Sequence, residues 1–188
     1  RLPHMVDALI AQGRTRPFAM AMIHNGGWAR YMEYQCSEST LIFLVSQVLP
    51  LASAHLDLID VEQNPGAYGV LGASMGGLMA MYTGLRLPRV FGRILSQSGA
   101  FMLHEGWQDL VMELHDALGP QGQQIWMDVG LYDFPNLLMG NRKLKALLQE
   151  RGFDLTYREY PAGHNYPAWR DDVWRGLETI FPPQPGEK

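Results

Sequence analysis

Six consecutive residues, Gly72-Ala73-Ser74-Met75-Gly76-Gly77, constrain the fold more than any other part of the chain. Val70 and Leu71 lead into them as the end of an apolar strand, and Leu78, Met79, Ala80 and Met81 follow as the start of an apolar helix. A serine at such a corner is driven into a strained backbone conformation, so the positions two before and two after must be nearly free of side chain. Gly72 and Gly76 meet that demand. The bend lifts the serine hydroxyl clear of the sheet, and the first amides of the following helix point at any oxyanion formed there. The strand-turn-helix context separates this nucleophile elbow from an ordinary glycine-rich turn.

Around the elbow, apolar β-rich segments alternate with segments of helical period, the pattern of a mostly parallel sheet with helices on both faces. Strands are expected over 18–24, 68–73, 90–97, 124–129 and 154–160. Helices are expected over 3–11, 39–54, 76–87, 107–118, 141–151 and 167–181. Together with the elbow this is an α/β fold of the α/β-hydrolase kind. Counted back from Ser74, the strand at 68–73 is the fifth and that at 18–24 the fourth. The first strands are therefore expected to lie before Arg1, on an upstream N-terminal segment or domain. One catalytic domain over 1–181 and a flexible tail over 182–188 complete the expected organisation.

Composition agrees and narrows the function classes. A chain of 188 residues, 47% hydrophobic and 18% charged, can bury a sizeable core. The net charge of −4 supplies no basic field, so nucleic acid is not an expected partner. The longest apolar runs, such as Leu41 to Val45, are too short for a membrane span. The single cysteine, Cys36, rules out an internal disulfide framework. No signal-like segment follows Arg1, and a cytoplasmic location is the expectation.

A serine hydroxyl is a weak nucleophile unless a base lies within hydrogen-bond reach and a third group holds that base in the right tautomer. Ligands of parallel sheets collect at the carboxyl ends of the strands, which here are the loops at 24–34, 74, 98–107, 130–140 and 161–166. His4, His55 and His115 fall on expected helices, and His24 and His104 lie on loops near the elbow. His164 follows the last strand, which suits the chain order serine, acid, histidine. For the acid, Asp128 lies inside its strand and Asp154 at the opposite edge, so Asp133, on the loop after the strand, is preferred. The backbone N–H of Met75 is the expected oxyanion donor. Asn25-Gly26-Gly27 has the look of a second donor but reads better as a flexible turn.

Several segments carry a resemblance: Ala11-Gln12-Gly13-Arg14, Ile23-His24-Asn25, Arg30-Tyr31-Met32-Glu33-Tyr34, the elbow itself, Phe91-Gly92-Arg93-Ile94-Leu95-Ser96-Gln97-Ser98-Gly99, Asn141-Arg142-Lys143-Leu144 and Tyr157-Arg158-Glu159-Tyr160-Pro161-Ala162-Gly163-His164. From about Leu2 to Phe181 the chain resembles the putative esterase family, which includes enterochelin esterases and, more distantly, esterase D and feruloyl esterases. The Ser-Gln-Ser-Gly segment and the Gly-His region with Trp169-Arg170 point to the enterochelin esterase side. The resemblance implies Ser74 as nucleophile, His164 as base and Asp133 as acid, where relatives often carry glutamate or aspartate. Relatives commonly have an aspartate where this chain has His24. Cleavage of siderophore ester bonds is the activity the resemblance implies, with an ester, or an iron–siderophore complex, as the small-molecule partner.

The carboxyl-end loops are also rich in rings: Trp28, Tyr31, Tyr34, Phe101, Trp107, Tyr132, Phe134 and Tyr166, with Arg30 and Arg142 beside them. Stacking faces next to guanidinium groups suit an aromatic, anionic acyl group. Trp28, Arg30, Trp107 and Tyr132 are the expected substrate-binding residues. The expected chemistry is two-step acyl transfer to water through Ser74 and needs no metal or organic cofactor. An acyltransferase on the same scaffold and a non-catalytic binding module are the competing readings.

Overall fold

The computed structural model describes residues 2–24, 26–101, 110, 111, 113, 114 and 118–183. Its centre is a four-stranded parallel sheet with spatial order β1-β2-β3-β4, made of β1 (Tyr68–Ala73), β2 (Phe91–Gln97), β3 (Gln124–Gly130) and β4 (Asp154–Tyr160). The inner strands β2 and β3 are buried on both faces, which is why they read as nearly continuous apolar runs.

Around the sheet lie the α-helical elements α1 (Leu2–Ala11), the single turn α2 (Arg30–Glu33), α3 (Glu38–Phe43), α4 (Leu49–His55), α5 (Met75–Arg86), α6 (Pro135–Glu150) and α7 (Tyr166–Ile180). Side chains alternate across the pleat and divide the core in two. Ile94, Ile125 and Met127 point to one face and pack with Leu78, Met81 and Leu85 of α5 and Leu144 and Leu148 of α6. Leu95 and Trp126 point to the other and pack with Val173, Leu177 and Ile180 of α7 and Val6 and Leu9 of α1. Gly176 of α7 rides directly over Leu95 and Trp126, where a Cβ would come within 2.5 Å of the leucine side chain.

Between α3 and α4 the helix widens into a π turn over Leu44–Val48. Pro50 explains the position: it has no N–H, and its ring crowds the preceding turn, which a wider coil relieves. A capping hydroxyl starts this helical stretch, with Ser37 Oγ accepting from the Thr40 N–H at 3.3 Å.

The strand expected over 18–24 is not one. Phe18 stacks on Phe181 with ring centroids 4.8 Å apart, and Phe18 and Met20 pack against the α1–α7 core. Beyond them the chain runs without a ladder partner, leaving Met22 and Ile23 exposed. An apolar, extended pattern encodes a preference for the pleat but not the neighbouring strand that must complete it. The helix expected to begin at Asn141 begins instead at Pro135, because proline with its preset φ and missing N–H suits a first turn. The helix expected over 107–118 lies largely outside the described residues. Among the described residues no single helix is long and apolar enough to cross a membrane; one pair, 27–33 and 38–55, passes a length and composition test only together, across a bend of 101°.

Candidate active site

Ser74 sits between β1 and α5 at φ +57° and ψ −121°, the strained corner that the glycines implied. Gly72 makes the corner possible: a Cβ on it would lie 2.2 Å from the carbonyl oxygen of Gly76. The backbone of Ser74 is tied to the end of β2 on both sides. Its N–H donates to the Gln97 carbonyl at 2.9 Å, and its carbonyl accepts from the Ala100 N–H at 3.0 Å. Met75 opens α5, so its amide belongs to the first turn, whose N–H groups have no intrahelical acceptor.

The loop after β4 brings His164 to this corner. Gly130, the last residue of β3, lets that loop approach, since a Cβ there would stand 2.2 Å from the Ala162 carbonyl oxygen. The Leu131 N–H donates to the Tyr160 carbonyl at 2.8 Å and the Tyr132 N–H to the Ala162 carbonyl at 2.9 Å, which lashes the two loops together. Downstream, Asn165 caps α7 by accepting from the Ala168 N–H at 3.0 Å. His164 is thus held between a strand end and a capped helix.

The imidazole bridges two oxygens. Nε2 lies 2.9 Å from Ser74 Oγ, and Nδ1 lies 2.8 Å from Asp133 Oδ1. With Asp133 ionised, the consistent tautomer carries its hydrogen on Nδ1, donates it to Asp133 and leaves Nε2 to accept from the serine hydroxyl. Burial pushes the Asp133 carboxyl up, but hydrogen bonds from His164 and the Phe134 N–H, the nearby Ser98 hydroxyl and the imidazole's charge outweigh it and hold the group below its ordinary value. Phe134 and Trp169 flank the imidazole, with centroids 5.2 and 4.8 Å away and the Trp169 contact edge-on.

Asp128, the competing acid, is fully buried lower in β3. Its Oδ2 accepts from Trp126 Nε1 at 2.7 Å and Gln97 Nε2 at 3.3 Å, and burial pushes its carboxyl up to about 6. His4, His24 and His55 are exposed. His104, His115 and Trp107 lie outside the described residues, as does Asn25. The turn read as an alternative oxyanion donor does not offer the Gly26 amide, which donates to Glu33 Oε2 at 3.1 Å.

Of the remaining expected substrate contacts, Trp28 is 86% exposed and Tyr132 75% exposed. Trp28 stacks on Tyr31 at 6.0 Å, and the Arg30 guanidinium lies 5.0 Å from the Tyr31 ring centre and donates to the Tyr31 hydroxyl at 3.3 Å. Tyr166 packs edge-on against Trp169 at 5.3 Å. Tyr166 and Trp169 thus lead by edge contacts to the imidazole. Arg142, by contrast, is engaged by Glu159 through two bonds of 2.8 and 2.7 Å.

The model of the Putative esterase family matches residues 1–180. The chain belongs to that family. As a member of it, the chain is 30% identical over 159 residues to the iron(III) enterobactin esterase of Escherichia coli strain K12, covering 82% of this chain and 39% of that protein. Among solved structures, the ferric enterobactin esterase of Salmonella typhimurium superposes with a TM-score of 0.79 at 28% identity, over 92% of this chain and 44% of the other. The enterobactin esterase of Shigella flexneri, crystallised in the presence of enterobactin, gives 0.78 at 26% identity, over 92% and 44%. The chain thus spans less than half the length of these relatives. Its parallel sheet, elbow and flanking helices are those of an esterase of the α/β-hydrolase type.

Proposed function

We propose that this chain carries a serine carboxylic-ester hydrolase site in which Ser74 is the nucleophile, His164 the general base and acid, and Asp133 the group that orients and stabilises the imidazole. The observation that carries the reading is the unbroken hydrogen-bonded chain from Ser74 Oγ through His164 to Asp133, at 2.9 and 2.8 Å. Nucleophile and base are within transfer distance, and the base is oriented by a third group, which is the arrangement serine acyl chemistry demands.

The steps follow from these positions. As Ser74 Oγ bonds to the ester carbonyl carbon, His164 Nε2 takes the hydroxyl proton. Negative charge collects on the former carbonyl oxygen, opposite the Met75 N–H and the positive end of α5. Asp133 remains ionised and stabilises the imidazolium. When the tetrahedral intermediate collapses, the imidazolium proton goes to the departing alkoxide and the acyl group stays on Ser74. Water then attacks the acyl carbon, gives its proton to Nε2, and the same proton returns to Ser74 as the acid leaves.

For the substrate, the reading is an ester with an aromatic, anionic acyl group, as in a catecholate siderophore. Support comes from the exposed rings of Trp28, Tyr31, Tyr132 and Tyr166 with the Arg30 guanidinium among them, and from the enterobactin esterases among the relatives. The test is product analysis. The protein is incubated with a catecholoyl-serine ester, with and without an excess of an acceptor alcohol. Release of free acid that vanishes in Ser74→Ala supports hydrolysis; an acylated acceptor formed in preference to free acid overturns it.

A further inference from the structure

Two sequence fragments that the mechanism leaves unused, Ser96-Gln97-Ser98-Gly99 and Trp169-Arg170, meet beside His164. Ser98 is fully buried and stands at φ +46°. A serine in the left-handed region is strained and persists only where its surroundings impose it. Here they do. The Ser98 N–H donates to the Asp128 carbonyl at 2.7 Å, and its Oγ accepts from Trp169 Nε1 at 3.2 Å. Trp169 is itself fixed, because its carbonyl accepts from Gln97 Nε2 at 3.2 Å and its ring is wedged between His164 and Tyr166.

Hydrogen-bond arithmetic makes the arrangement informative. A hydroxyl that accepts from an indole N–H keeps its own hydrogen to give. Asp133 has the complementary need. Its Oδ1 receives both His164 Nδ1 and the Phe134 N–H, at 2.8 and 2.7 Å, while its buried Oδ2 has no hydrogen-bond partner among the described residues. The Ser98 hydroxyl nevertheless acts on this carboxylate, as one of the groups that hold it ionised. A donor in search of an acceptor and an acceptor in search of a donor are therefore neighbours, with the contact not closed in this resting geometry.

We propose that Ser98 is a positioning residue for Asp133: its hydroxyl, aimed by the Trp169 indole, donates to Asp133 Oδ2 when His164 takes up the Ser74 proton and the carboxylate faces an imidazolium. The inference rests on the acyl-transfer reading of Ser74, His164 and Asp133. Its strained backbone gives the hydroxyl a fixed launching point, since Gln97 and Ala100, on either side, also grip the backbone of Ser74. One buried segment would then set both ends of the hydrogen-bonded chain. A contact that closes only around the imidazolium stabilises that state relative to the neutral imidazole. Without that contact the imidazolium is held less firmly, and the histidine is protonated only at lower pH.

The experiment uses the whole chain with p-nitrophenyl butyrate as probe and compares the parent with Ser98→Ala, Ser98→Gly and Trp169→Phe. Ser98→Gly removes the hydroxyl while relaxing the backbone, so it folds even if Ser98→Ala does not. Trp169→Phe keeps an aromatic ring beside His164 while removing the N–H. The hydroxyl-free variants are expected to lose about 10- to 100-fold in kcat with KM little changed, the rate equivalent of one hydrogen bond to a charged group. The acid limb of their kcat/KM profile moves to lower pH, and Trp169→Phe shifts it in the same direction. Parental kcat and an unmoved acid limb in Ser98→Gly overturn the proposal while leaving the acyl-transfer reading intact. A parent that hydrolyses the probe no differently from Ser74→Ala overturns that reading instead, and the proposal with it.

Discussion

Gly72 and Gly76 face each other across the bend at Ser74, yet only Gly72 is sterically obliged to be glycine. A Cβ on Gly72 would lie 2.2 Å from the Gly76 oxygen and 2.3 Å from its carbonyl carbon, whereas a Cβ on Gly76 would meet nothing within 4 Å. The symmetric demand expected from the motif is in fact one-sided: the close approach is between the Cβ direction of one residue and the backbone of the other.

Gly72→Ala is therefore expected to abolish ester hydrolysis and to destabilise the fold by several kcal/mol, of order ~3, since both colliding atoms belong to backbone. Gly76→Ala is expected to fold with unchanged or slightly raised Tm, as alanine favours a helix over glycine by roughly 1 kcal/mol. Thermal unfolding of the two variants side by side checks this. Equal losses in both would contradict the asymmetry.

The two aspartates of the β3 region separate by function. Asp133→Asn keeps the shape but loses the charge and the tautomer preference that hold His164, and kcat should fall by about 10³- to 10⁴-fold. Asp128→Asn keeps an acceptor for Trp126 Nε1 and Gln97 Nε2 and should stay within about tenfold of the parent. Steady-state kinetics with p-nitrophenyl butyrate decide; the reverse order would hand the role of acid to Asp128.

Asp128 also makes a statement about stability. Burial raises its carboxyl to about 6 in the folded chain, against partial relief from Trp126, Gln97 and Arg158. For an acid whose folded value lies above its unfolded one, the native state binds more protons in the interval between them. Stability is thus lost as pH climbs from about 4 to about 6, by about 3 kcal/mol in all, and stays lost above it. Asp128→Asn removes that dependence. The difference in unfolding free energy, variant minus parent, should rise over this window in chemical denaturation. A difference that stays flat from pH 4 to 7 would contradict the buried-charge account.

Arg30, poised over Tyr31, should discriminate by charge. Arg30→Ala is expected to raise KM for an anionic catecholoyl ester by about five- to tenfold at low salt, and to leave a neutral aryl ester nearly unaffected. Equal effects on both esters would remove Arg30 from the recognition surface.

Much of this arrangement could be read from residue order. Asp133 was separable from Asp128 because one lies past the end of β3 and the other inside it, and a parallel sheet sends only its strand ends to the ligand side. His164 followed from its place after the last strand. The strand expected over 18–24 does not form, because an apolar pattern carries no information about a partner strand. Ser98 was visible only as part of a family-like fragment. Its left-handed backbone and its bond to Trp169, 71 residues away, arise from tertiary packing that no local pattern encodes. The early start of α6 could have been found from Pro135, a residue that favours the first turn of a helix.

The central claim, that Ser74 is a nucleophile activated by His164, is tested most directly by reaction of the folded chain with a fluorophosphonate at neutral pH, followed by peptide mass spectrometry. The expected result is a single phosphonyl adduct on Ser74, absent in Ser74→Ala and formed far more slowly in His164→Ala. A folded chain that forms no adduct, or one labelled at the same rate without His164, would contradict it.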